Sequence, residues 1–261
     1  MAGRPTPETF DAAFTAVASS PTLLAIVREV FGSEYPEDAE PFSFVTVSDL
    51  RRISEMLSVG AGQTVLDLCC GRGGPGLCVA QATGASLIGV DWSPVGVAHA
   101  KQAAIRMGLA DRARFEVADA GATGVPDASC DAAMSIDALQ LVPDRRAAIQ
   151  EVARVLRSGA RFAFTTWEVD PETPEDSTEQ RHVRDHTPIL ETAGLQVEYR
   201  EPTPGSREYE QGFFEGILAH RDELTTEMGS AAADEMFEEA NAVLPKLDAN
   251  RRVLIVARRR R

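Results

Sequence analysis

The sequence predicts an α/β protein built on a doubly wound, mostly parallel sheet of seven strands, with helices before it and a helical insert near its end. Three observations carry this. Short apolar runs rich in β-formers alternate with helical patterns from Gln63 to Trp167. The first of those runs leads directly into a cluster of glycines. Two more strand-like runs, Leu195–Arg200 and Arg252–Ala257, bracket a long helical stretch. Strands that read as near-continuous apolar runs and are separated by helices belong to a parallel sheet covered on both faces.

In chain order, residues up to Gly60 read as helical. Thr6-Pro7 and Ser20-Pro21 each pair an N-cap residue with a proline suited to the first helical position. Thr22–Phe31 carries apolar residues at helical spacing, and Asp49–Ser58 follows. Thr46 and Asp49 resemble a capping box there, Leu50, Ile53 and Leu57 share a face, and Gly60 is the expected stop. The core strands are expected at Thr64–Leu68, Ser86–Val90, Arg114–Val117, Asp131–Ser135 and Arg161–Thr166. Helices are expected between them at Gly76–Thr83, Val95–Met107 and Asp144–Leu156, the last capped by Asp144. Beyond Trp167 an acidic loop precedes a helix expected from about Glu179 to Ala193, with a kink at Pro188. Arg207–Leu247 reads as helical, with a break at Pro245. The expected organisation is a helical cap over 1–60, a core over 61–204, a cap insert over 205–248 and a closing strand and tail over 249–261.

Composition limits the partners. A net charge of -14 over 261 residues disfavours nucleic acid and anionic membrane. The one basic cluster, Arg258–Arg261, reads as a solvated tail after the last strand. Cys69, Cys70, Cys78 and Cys130 show no metal-ligand spacing and read as reduced thiols, and no metal site is expected. No basic stretch runs into an apolar one at the start, so a cytoplasmic location is expected. A homodimer is compatible with the sequence.

The chemistry concentrates in Val65-Leu66-Asp67-Leu68-Cys69-Cys70-Gly71-Arg72-Gly73-Gly74-Pro75-Gly76. Glycines at a strand-to-helix turn let the backbone approach a ligand, and the helix N-terminus adds free N–H donors. Gly71, Gly73 and Gly76 also satisfy G-x-G-x-x-G, so a nicotinamide or flavin dinucleotide stands as an alternative. Three acids separate the two. Asp67 lies before the glycines, where a carboxylate crowds a pyrophosphate but suits an ammonium. Asp91 ends the second strand in position for ribose hydroxyls, and Asp119 follows the third. Together they outline a cationic, adenosine-bearing ligand along the carboxyl edge of the sheet. The Tyr-x-x-x-Lys pair of one large group of nicotinamide enzymes is absent.

In these residues the chain resembles the class I S-adenosylmethionine-dependent methyltransferases, over about Gln63–Trp167. The resemblance implies a Rossmann-like fold and S-adenosyl-L-methionine as cofactor. It implies that Asp67 holds the methionine part, that the backbone around Cys69, Gly71, Arg72 and Gly73 lies against the cofactor, and that Asp91 takes both ribose hydroxyls. Trp92 then packs on the adenine, Asp119-Ala120 meets the adenine edge, and Ser135 stands where the fourth strand reaches the cofactor. Cys69 replaces the first glycine of the family motif, so its backbone is expected not to need a glycine-only conformation. Arg72 is expected either at the ligand carboxylate or in solvent.

Motifs for DNA-base methylation are missing after the fourth strand, which reads Ser135-Ile136-Asp137-Ala138-Leu139. Segments from Ser135 to Trp167 resemble the branch that methylates small molecules, including secondary metabolites. Candidate catalytic residues are Asp137 and Gln140 after the fourth strand and His186 on the predicted helix, with His182 on the same face. Trp167 and Glu168 after the fifth strand, His220, and the aromatics Tyr35, Phe42, Phe44, Tyr209, Phe213 and Phe214 are further candidates near the acceptor. A cofactor-binding protein without catalysis is a third alternative.

Overall fold

The computed structural model describes residues 6–173 and 183–260. Two helices open it, α1 (Pro7–Ala18) and α2 (Pro21–Phe31), each begun as the sequence predicts. The Thr6 hydroxyl accepts from Thr9 N–H and the Ser20 hydroxyl from Leu23 N–H. Helix α3 (Val47–Leu57) has the full reciprocal capping box between Thr46 and Asp49. It ends one turn earlier than Gly60, because Ser58 itself adopts the left-handed conformation at φ 53°.

The core then alternates: β1 (Thr64–Leu68), α4 (Gly74–Thr83), β2 (Ser86–Asp91), α5 (Pro94–Arg106), β3 (Ala113–Val117), β4 (Cys130–Ile136), α6 (Arg145–Val155) and β5 (Leu156–Val169). After β5 come α7 (Thr187–Thr192) and β6 (Leu195–Pro202). The insert follows as α8 (Ser206–Ala219), α9 (Arg221–Met228) and α10 (Ser230–Val243), and β7 (Asn250–Arg259) closes the sheet. The order is β3-β2-β1-β4-β5-β7-β6, with β1 to β5 paired in parallel and β7 antiparallel to both its neighbours. The predicted seven-stranded, mostly parallel sheet is therefore present.

Alternation of side chains explains why the central strands are apolar throughout. On β1, Val65 joins the core under α3, α4 and α5, whereas Leu66 and Leu68 join the core on the α6 and α7 face. On β7, Leu254 and Val256 face the first core, and Val253, Ile255 and Ala257 the second. A third core unites α2 with the insert through Leu23, Ile26, Phe214, Ile217 and Phe237. Among the described residues no single helix is long and apolar enough to cross a membrane.

Two expectations change. Of the helix expected from about Glu179 to Ala193, the described residues form only Thr187–Thr192, where Pro188 stands in the first turn instead of kinking an interior; Glu179 and His182 lie outside the described residues. Arg258 and Arg259 belong to β7 and not to a tail, and Arg258 pairs with Glu198 on β6.

Candidate functional site

The topology places the site. Strand order reverses between β2 and β4 on either side of β1, and the crevice beyond the carboxyl ends of such strands is where ligands bind. A cavity of about 130 Å³ lies there, bounded by Asp67, Gly71, Asp91, Trp92, Asp119 and Asp137, with neighbouring loop residues. Four successive parallel strands thus each deliver an acid or its neighbour to one small space.

The turn after β1 depends on close contact. Gly71 and Gly73 have φ of 50° and 82°, and a Cβ at Gly76 would fall 2.3 Å from Asp67 Oδ2. Only a residue without a side chain lets α4 start over that carboxylate. Cys69 has φ 59°, which corrects the expectation for it: the backbone adopts the left-handed conformation that favours glycine, and the thiol is carried at a cost of about 1–2 kcal/mol. Burial, with Asp91 and Asp67 nearby, pushes the Cys69 thiol well above its ordinary range, so it stays protonated.

Asp67 is buried, and burial together with the neighbouring Asp91 pushes its carboxyl up to about 8, against one backbone hydrogen bond from Gly76. It is a neutral acid in a place that favours a cation. Asp91 is orientated by the loop itself: Oδ2 accepts from Gly71 N–H at 2.8 Å and Oδ1 from Ser93 N–H at 2.9 Å. Each oxygen keeps a lone pair for a ligand hydroxyl. The exposed Asp119 accepts from Gly121 N–H at 2.7 Å, which leaves its other oxygen available, and Ala120 lines the cavity beside it. Ser135 is fully buried with no partner for its hydroxyl and does not line the cavity. Arg72 turns toward the loop before α3, its guanidinium 3.2 Å from Glu40.

Helix α1 covers this cavity. Phe14 lies against Gly71, with its ring 3.2 Å from the position of an added Cβ, and Phe10 meets Trp92 at 5.8 Å between ring centroids. Asp11 holds the helix in place by accepting from the Ser93 hydroxyl and from Val95 N–H at the start of α5.

A second, larger cavity of about 1290 Å³ opens between α1, α2, the loop before α3 and the insert. It shares Phe10, Phe42, Arg72, Asp137 and Leu141 with the first, so the two spaces meet along a common wall. Its sides are aromatic: Phe44 stands at the centre, 5.9 Å from Trp167, 5.4 Å from Phe213 and 6.0 Å from Phe214. Tyr35 and Phe42 line it as well, while Tyr209 stacks on Phe31 at 4.5 Å.

The catalytic candidates from the sequence are mostly committed elsewhere. Asp137, at φ 52°, accepts from Phe44 N–H at 2.9 Å and from Arg252 Nε at 2.8 Å, so both oxygens are engaged. Arg252 is itself fully buried and also donates to Asp49 at 2.7 Å and Thr203 at 3.1 Å. Gln140 spans Asp137 carbonyl and the Thr166 hydroxyl, at 2.6 and 3.1 Å. Both residues line the second cavity as structural ties. His186 is a correction. It caps α7 on the opposite face of the sheet, edge-on to Phe164, with Nδ1 3.0 Å from Glu168 Oε1, and it lines neither cavity. Glu168 is likewise withdrawn, completely buried between His186 and Arg200. His220 folds back on Gly216 carbonyl at 2.9 Å.

One acid that sequence reasoning missed faces the second cavity. Glu210, on α8, accepts from Trp167 Nε1 at 2.8 Å, the only donor to this carboxylate among the described residues. Burial pushes its carboxyl up to about 7, with the Trp167 hydrogen bond and Arg252 acting the other way. Its position in Tyr209-Glu210-Gln211 carries no motif; only the packing of α8 on α2 turns it inward. That packing needs Gly216, where a Cβ would meet Ile26 at 2.6 Å.

With this geometry in place, residues 65–159 match the family model described as a methyltransferase domain. Over that stretch the chain is similar to a methyltransferase domain. Over 113 residues it is 38% identical to 27-O-demethylrifamycin SV methyltransferase of Amycolatopsis mediterranei (strain S699), covering 43% of this chain and 42% of that protein. Over 128 residues it is 33% identical to a probable chloroplastic tocopherol O-methyltransferase of Oryza sativa subsp. japonica, covering 46% and 35%. The matched stretch spans less than half of each relative's length. The fold extends further: the [4+2]-cyclase SpnF superposes with a TM-score of 0.73 at 23% identity, covering 92% of this chain and 93% of that one. A putative sarcosine dimethylglycine methyltransferase from Galdieria sulphuraria gives 0.74 at 18% identity, covering 92% and 97%.

Proposed function

We propose that this protein transfers a methyl group from S-adenosylmethionine to a small, largely apolar acceptor. The observation that carries the proposal is the pair of cavities meeting at Asp137, one lined by the glycine turn and its acids, the other large and aromatic. The donor side suits that cofactor: Asp67 is a buried acid with a single backbone donor, a place for the ammonium of a methionine moiety. Asp91 presents two preset oxygens toward ribose hydroxyls, Trp92 offers a ring to the adenine, and Asp119-Ala120 the adenine edge. When bound, the cofactor supplies a methyl group on a sulfonium, which is electrophilic without help from the protein.

The chain's own task is then to align an acceptor and exclude water. Helix α1 seals the donor side, and Phe44, Trp167, Phe213 and Phe214 hold an apolar body in the larger cavity. Relatives named for demethylrifamycin and tocopherol suit a cavity of that size and lining. Calorimetry with S-adenosylhomocysteine and with NAD, followed by mass-spectrometric screening of acceptors with methyl-labelled cofactor, tests the proposal. Binding of S-adenosylhomocysteine alone and a labelled product are expected. Binding of NAD in its place overturns the assignment.

A further inference from the structure

We propose that Glu210 is the general base of this site and that the acceptor is a hydroxyl group on an apolar body. This rests on the methyl-transfer function proposed above. The larger cavity is walled by aromatic rings, and of the two buried acids that line it, Asp137 and Glu210, only Glu210 has a carboxylate oxygen without a donor among the described residues. Asp137 gives one oxygen to Phe44 N–H and the other to Arg252. Glu210 uses Oε1 for Trp167 Nε1, which fixes the plane of the carboxylate and leaves Oε2.

The surroundings set its strength. Arg252 from β7 and Asp137 after β4 act on Glu210 in opposite senses, and Asp49 on α3 sits behind Arg252. Glu40 and Arg72 stand on the wall shared with the donor cavity, and Glu235, Glu239 and Lys246 line the far side. Because Arg252 is spent on Asp137 and Asp49, burial dominates and holds the Glu210 carboxyl near neutrality. An acid of that strength matches proton removal from a hydroxyl at neutral pH. A neutral amine needs no base before attack, and a cationic one would find one acid beside a buried guanidinium. In the step itself the acceptor oxygen forms a bond to the methyl carbon while the carbon–sulfur bond breaks with its electron pair going to sulfur. The hydroxyl proton passes to Oε2 of Glu210 and later to solvent.

The test uses the full chain, labelled S-adenosylmethionine and a matched pair of probes, 4-methylumbelliferone with a hydroxyl and 7-amino-4-methylcoumarin with an amine, with estradiol as a larger hydroxyl probe. Methylation of the hydroxyl probes is expected, with a kcat that falls below about pH 7, and Glu210→Gln is expected to lower kcat about 100-fold or more and to abolish that acidic limb. S-adenosylhomocysteine affinity should stay within twofold, since Glu210 lies outside the donor cavity. Trp167→Phe removes the hydrogen bond that favours the carboxylate, so its acidic limb should move to higher pH, a change that a purely structural role does not produce. Independently of turnover, difference infrared spectroscopy should show a carboxyl titrating near pH 7 that is absent from Glu210→Gln. Transfer to the amine alone, equal kcat for wild type and Glu210→Gln, or a Glu210 carboxyl titrating near 4 overturns the base. Binding of S-adenosylhomocysteine with no transfer to any of the three probes overturns the methyl-transfer proposal with it.

Discussion

The donor and acceptor halves of the site are built in opposite ways. The donor cavity is made from consecutive strand ends between Asp67 and Asp137, and its decisive features are backbone ones, a left-handed turn and a helix that starts against a carboxylate. The acceptor cavity is assembled from side chains on α1, α2, the loop before α3, β5 and the insert, joined by the Arg252 cluster. A site written in backbone geometry tolerates few sequences and so leaves a motif. A site written in side-chain packing admits many solutions and leaves none.

The sharpest way to break this contrast is at Gly76. Gly76→Val places a Cβ bearing two methyl groups against Asp67 Oδ2, and it should abolish measurable S-adenosylhomocysteine binding by calorimetry. A retained affinity would mean that the turn is far more pliant than its geometry implies. The acceptor half should fail differently. Arg252→Leu leaves Asp137 and Asp49 buried without their cation, and chemical denaturation should show a loss of about 3–5 kcal/mol. At temperatures where the variant remains folded, S-adenosylhomocysteine affinity should change little while methyl transfer is lost. Equal damage to both would show that the halves are one mechanical unit.

Asp91→Ala sharpens the donor side. It removes two hydrogen-bond acceptors, and cofactor affinity should weaken by about 1–3 kcal/mol. The smallest expected effect is a proton. Asp67 titrates near 8 in the free protein, so at pH 7 it is mostly neutral. A bound ammonium favours the carboxylate and lowers that value, so binding should release up to one proton at pH 6–7 and almost none above pH 9. Affinity should therefore rise with pH toward 8 and then level off. Calorimetry in buffers of different ionisation enthalpy reads this directly, and Asp67→Asn should erase it.

The same contrast explains what was legible in the sequence. The strands from Thr64 onward and the helix starts at Pro7, Pro21 and Thr46 were readable because capping and alternation are local. Asp67, Asp91 and Asp119 were readable because their places at successive strand ends follow from the fold. His186 misled because a histidine on an apolar background looks the same whether it packs against Glu168 or faces a ligand. Asp137 and Gln140 stand on the wall of the second cavity, but their engagement by Arg252, Phe44 and Thr166 depends on contacts across the whole chain. Glu210 had no local signal at all, since its burial follows from how closely α8 approaches α2 at Gly216.

The Arg252 cluster also has a consequence for the order in which the protein comes into being. Asp49 and Arg252 are separated by 203 residues and Asp137 and Arg252 by 115. At roughly 5–20 residues per second, Asp49 is synthesised about 10–40 s before its partner exists. Before that interval ends every strand bordering the donor cavity has been synthesised, while the two carboxylates that anchor the acceptor wall still lack a cation. The acceptor chamber is therefore completed after the donor one, and β7 is the clasp that closes it.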